Sequence, residues 1–124
     1  MDIIISNSSG QPIYEQIVTQ IKNMIISGEL KEGDPLPSMR LLAKELRISV
    51  ITTKRAYEEL EREGFIVSVT GKGSFVAAKN TELIKEQQLR EIEDYMQRIV
   101  EKSAACGLTL DELIEMLTFF YEGE

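Results

Sequence analysis

Leu36–Val76 reads LPSMRLLAKELRISVITTKRAYEELEREGFIVSVTGKGSFV, and the order of signals within it decides the fold. Ser38 suits the N-cap of a short helix that turns Leu41, Leu42 and Leu46 inward. Ser49 suits the N-cap of another helix running to about Glu63, with Ala56, Tyr57 and Leu60 on its apolar side and Gly64 as its stop. Between them Leu46-Arg47-Ile48-Ser49 forms a tight turn, with Ile48 placed to pack inward. Phe65–Val69 and Ser74–Val76 are rich in β-forming residues and flank Thr70-Gly71-Lys72-Gly73. That pattern predicts a hairpin with a lysine between two glycines at its tip.

Working upstream, Pro12 suits the first turn of a helix, where its missing N–H costs nothing. Ile13, Ile17, Val18, Ile21, Met24 and Ile25 follow at helical spacing until Gly28. Glu29–Pro37 is turn-rich, and Ile3–Ile5 is a short apolar run that predicts a strand. Helix, helix, turn, helix and hairpin is the order of a winged helix-turn-helix. The expected fold class is therefore α+β, with that domain over residues 1–78.

Downstream, residues 79–124 are a different object. Leu89, Ile92, Met96 and Ile99 recur at three- and four-residue steps, a narrow apolar stripe between charges. Gly107 ends this helix. Thr109 and Glu112 are spaced as a capping box for a last helix bearing Leu110, Leu113, Ile114, Leu117 and Phe120. Two short helices would leave much of this apolar surface open unless another copy of the chain covers it, so a homodimer is expected.

A helix-turn-helix projects its second helix into the major groove of double-stranded DNA, and the residues here suit that task. Ser49, Val50, Thr52, Thr53 and Lys54 form the first turns of that helix and are candidates to meet base edges. Threonine and serine hydroxyls can bond to base edges or phosphates, and a threonine methyl can meet a thymine methyl. Lys54 and Arg55 can neutralise phosphates, although Arg55 and Arg47 can equally pair with nearby glutamates. Arg40 begins the preceding helix, after its cap at Ser38. In the wing, Gly71 and Gly73 allow close backbone approach while Lys72 supplies charge.

The net charge of −7 opposes this reading until its distribution is considered. From Ser38 to Tyr57 five basic residues stand against one acidic residue, a balance of +4. From Lys79 to the end five basic residues stand against eleven acidic ones, a balance of −6. The acidity lies mainly in the tail, and a basic face remains for phosphates.

At these residues the chain resembles the DNA-binding domain of GntR-family regulators. The likeness runs from Gln11 to Val76 and includes PIYEQI at Pro12–Ile17 and GELKEGDPLPS at Gly28–Ser38. The short tail resembles the YtrA subfamily, in which two helices after the wing serve dimerisation. The resemblance implies a repressor on a palindromic operator, and the subfamily hints at genes for ABC-type transporters. Carried over position by position, the family's DNA contacts fall on Ser38, Arg40, Thr52, Lys54, Gly71, Lys72 and Gly73. Where family members commonly carry arginine after the capping serine, this chain has Val50, which implies a different operator.

Other function classes find less support. The chain has no histidine, no nucleophile beside a base, no metal-ligand cluster and no phosphate-cradling loop, so it reads as a non-enzyme without a cofactor. Gly71-Lys72-Gly73 lies in a hairpin, whereas a P-loop opens a helix. A winged helix used only to bind proteins would fit the acidic total but has no need of the basic cluster. A detached part of a larger PLP-dependent relative would not carry its own capped tail. An unidentified small-molecule effector is left open as a partner. No apolar run reaches the roughly 20 residues that span a bilayer, and no signal peptide is read, so no membrane partner and a cytoplasmic address are expected. Cys106, the single cysteine, excludes an internal disulfide and reads as a small packing residue.

Overall fold

The computed structural model describes residues 1–78 and 81–123, apart from the side chains of residues 81–83. Its elements are α1 (Ile13–Ser27), α2 (Met39–Leu46), α3 (Val50–Arg62), β1 (Ile66–Val69), β2 (Gly73–Val76), α4 (Thr81–Cys106) and α5 (Leu110–Glu122). They fall into two compact units, Met1–Thr81 and Glu82–Glu124. The expected boundary after residue 78 borders residues 79 and 80, which lie outside the described residues.

In the first unit, α1 and α2 both pack on α3. Ile17, Ile21 and Ile25 of α1 are fully buried, with Leu42 of α2 and Ala56, Tyr57 and Leu60 of α3. Each large apolar side chain so buried contributes about 1.5–3 kcal/mol against exposure, which outweighs the modest helix propensity of the isoleucines. Gly28 stops α1 with φ of +86°, a left-handed conformation natural to glycine. The expected inward trio on α2 is corrected at Leu41. It is 47% exposed, because the eight-residue helix turns only one narrow side to α3, filled by Leu42 and Ala43.

β1 and β2 pair antiparallel, with Ile66 opposite Val76 and Val69 opposite Gly73. The Lys72 amide donates to the Val69 carbonyl at 2.9 Å, closing a turn in which Gly71 has φ of +78°. A positive φ at the third residue of such a turn is where glycine is required. The hairpin is anchored at both edges. The Phe65 amide donates to Leu60 of α3, and the Leu36 amide donates to Ser74 of β2, both at 2.9 Å. The segment before α2 thus lies against the wing, with Pro35 bridging to Phe75.

Ile3–Ile5 form no strand. Side-chain amides of α1 take the place of a partner strand instead. Gln20 accepts from the Ile4 amide at 2.9 Å and donates to its carbonyl at 2.7 Å. Gln16, itself buried, does the same for Ser6, both bonds at 2.8 Å. Ile3 meanwhile enters the core.

In the second unit, α4 ends at Gly107 (φ +78°), and the Thr109–Glu112 capping box opens α5. Cys106 is exposed, which corrects its reading as a packing residue. Its thiol lies near the Ser103 carbonyl (3.7 Å), while Ser103 is the buried residue of this turn.

Candidate nucleic-acid interface

The turn from Leu46 to Ser49 is built without glycine. Arg47 adopts φ of +58°, and its amide and that of Ile48 reach back to the carbonyls of α2, the latter donating to Ala43 at 3.0 Å. Holding a non-glycine residue in this region costs on the order of 1–2 kcal/mol. The two amide bonds and the half-buried Ile48 offset that cost. Serine caps stand at the start of both helices: Ser38 Oγ accepts from the Leu41 amide, and Ser49 Oγ from the Thr52 amide, each at 3.1 Å. The angle between α2 and α3 is further secured by Tyr57, whose hydroxyl donates to the Pro37 carbonyl. Burial pushes this phenol far above its ordinary pKa, and the negative charge of Glu45 adds to the effect.

Around this turn Arg40, Lys44, Arg47 and Lys54 are all exposed, and Lys72 is exposed at the tip of the hairpin. Lys54 approaches Glu58 at 3.9 Å, an exposed i,i+4 pair that is weak in water. Val50 is exposed at the head of α3, and Ser38, Ser49, Gly71 and Gly73 also lie at the surface.

One expected contact, Thr53, is placed elsewhere. Thr53 has no exposed surface, and its hydroxyl donates to the Ser49 carbonyl at 3.3 Å, so it belongs to the core and not to the outer face of α3. Helical phase explains this, since Thr53 precedes the buried Ala56, Tyr57 and Leu60 by three, four and seven residues. Arg55 is exposed, and its guanidinium also has a partner within the domain, lying 3.8 Å from the centre of the Tyr14 ring and joining α3 to α1. Thr52 is half-buried, and its hydroxyl meets Ser49 Oγ at 2.8 Å.

Reading the sequence by residue type passes over Ile51, which is 80% exposed on the side of α3 opposite the core. The same phase that buries Thr53 is the signal that finds it. Lys22 is also missed that way; it pairs with Glu63 at 2.8 Å and lies over the Phe65 ring, tying α1 to the end of α3. Arg62 is paired with Glu59, and that hydrogen bond holds the Glu59 carboxyl below its usual range.

The sequence model of the bacterial regulatory proteins of the gntR family matches residues 13–76, from the first residue of α1 to the last of β2. The chain belongs to the GntR family. Among its relatives, the transcriptional repressor YtrA of Bacillus subtilis (strain 168) is 34% identical over 115 residues, covering 93% of this chain and 88% of YtrA. A transcriptional antiterminator from Listeria monocytogenes EGD-e has a similar structure, with TM-score 0.79 and 30% identity over 98% of this chain and 90% of that one. The likeness extends to AraR(DBD), solved in complex with operator ORX1, at TM-score 0.55 and 25% identity over 62% of this chain and 96% of that one. The relatives of this GntR protein are transcriptional regulators and not enzymes, in agreement with the non-enzymatic reading of the sequence. No helix among the described residues is long and apolar enough to cross a membrane.

Proposed function

We propose that this GntR-family regulator is a repressor that binds a palindromic operator as a homodimer in the cytoplasm. Residues 1–78 bind DNA and residues 79–124 hold two copies together. The observation that carries the DNA-binding half is the set of exposed cations around the α2–α3 turn, Arg40, Lys44, Arg47 and Lys54. They lie on α2, in the turn and on the first turns of α3, flanking in sequence a capped helix start in a chain whose total charge is −7. In this reading α3 enters the major groove, Ser38, Arg40 and Lys54 meet the backbone, and Gly71, Lys72 and Gly73 follow the phosphates beside the wing. Ser49, Val50 and Thr52 lie nearest the bases, while Arg55 holds α3 against α1.

The dimer reading rests on α5. Leu110, Ile114, Leu117 and Phe120 are exposed, Leu113 is half-buried, and the helix has no fully buried residue. On α4, Leu89, Ile92, Met96 and Ile99 are exposed in the same way. Surface of this extent is covered in water by a matching surface, and a second copy supplies one by symmetry. Selection of sites from random duplex DNA by the full chain tests the reading. A palindromic consensus bound by a dimer is expected, and recovery of no sequence at any salt concentration would overturn it.

A further inference from the structure

We infer that the start of α3 reads thymine methyl groups at two neighbouring positions of each half-site, one through Val50 and the other through Ile51. The inference rests on the proposal that α3 enters the major groove and extends it to a residue with no assigned role. Ile51 is 80% exposed and Val50 44% exposed. A β-branched side chain at an exposed helix position gains nothing from folding and is a weaker helix former than alanine. Its value lies in what it meets outside the chain.

The polar neighbours of Ile51 are engaged within the helix start. Ser49 Oγ accepts from the Thr52 amide at 3.1 Å and shares a hydrogen bond of 2.8 Å with the Thr52 hydroxyl. The Thr53 hydroxyl is buried and donates to the Ser49 carbonyl. Among residues 49–54, Val50, Ile51 and Lys54 are the side chains not engaged in a hydrogen bond at the helix start. Exposed Arg40, Lys44 and Arg47 precede this apolar pair along α2 and the turn, and exposed Lys54 follows it on α3. Cations so placed suit a polyanion and oppose an apolar groove of a protein partner. Within the major groove the apolar group on offer is the C5 methyl of thymine. Adjacent helical residues point about 100° apart, so Val50 and Ile51 meet methyls of neighbouring bases and not the same one.

Uracil tests this directly, because it keeps every hydrogen-bonding group of thymine and lacks only the methyl. Sites are first selected from random duplex DNA with the full chain, and each thymine of a selected site is then replaced singly by uracil. Burial of one methyl-sized group corresponds to roughly a fourfold change in affinity, so a loss of that size is expected at two neighbouring positions per half-site. Ile51→Ala, at a site where alanine favours the helix, should retain the wild-type circular dichroism spectrum and lose the uracil penalty at one of the two positions. Uracil without effect at every thymine, which needs no variant at all, would overturn the inference. So would an Ile51→Ala protein that keeps both penalties. Failure to select any DNA would instead overturn the underlying reading of function, so the two failures are distinguishable.

Discussion

The hydroxyl of Tyr57 donates a hydrogen bond of 2.7 Å to the carbonyl oxygen of Pro37, joining the middle of α3 to the turn that precedes α2. Through this bond α3, the serine-capped start of α2 and the wing share one anchor, since Leu36, next to Pro37, donates its amide to Ser74. Fixing these elements before DNA arrives lowers the ordering cost of binding.

Tyr57→Phe should therefore destabilise the first unit by about 1–2 kcal/mol at neutral pH, the cost of leaving the Pro37 carbonyl without its donor. In the unfolded chain a tyrosine ionises near pH 10, whereas burial holds Tyr57 protonated well above that in the folded state. Its contribution is full below pH 10 and is lost as pH rises beyond it. Urea unfolding at pH 7 and pH 10.5 should show the gap between wild type and variant narrowing at the higher pH. A constant gap would mean the phenol does not titrate with unfolding.

What is legible in the sequence here is mostly local chemistry. Ser38, Ser49 and Thr109 each cap the helix that follows, and Gly28, Gly71 and Gly107 each take the positive φ that a stop or turn needs. Thr53 is misplaced when residue type is weighed above helical phase, although its spacing to Ala56, Tyr57 and Leu60 marks a core position. Ile51 escapes notice for the converse reason. The fate of Ile3–Ile5 is beyond local reading. It depends on Gln16 and Gln20, whose amides complete the backbone bonding of a segment up to 16 residues away.

Lys72→Ala should weaken binding to all DNA sequences alike and reduce the slope of log affinity against log salt by about one unit for each phosphate it no longer neutralises. Arg40→Ala and Lys54→Ala should act in the same direction. For Lys54 the loss of the exposed Glu58 pair costs little stability, so the effect is on DNA. Gel shifts at several salt concentrations measure this, and unchanged slopes in all three variants would move the phosphate-binding role to other residues.

A chain ending at Thr81 should remain folded, since Met1–Thr81 is compact with its own core, and should sediment as a monomer. Its affinity for a two-half-site operator should fall at least about a hundredfold, because the second half-site no longer benefits from tethering to the first. A full-length chain that is monomeric at micromolar concentration would remove the role given to α4 and α5.

Val50→Arg probes the docking of α3 itself. Val50 is exposed at the first position of the helix, directly after the Ser49 cap, and carries only methyl groups. An A·T pair should therefore be preferred at the position it meets. An arginine there can fork to O6 and N7 of guanine, so the variant should shift preference toward guanine at that one position by roughly 1–3 kcal/mol. Distant positions of the half-site should keep their preferences, because additivity holds for well-separated groups that share no partner. Parallel selections from random DNA with the two proteins make the comparison. If wild type already demands guanine at that position, or the two consensus sequences coincide, then residue 50 does not face a base and α3 enters the groove at a different angle.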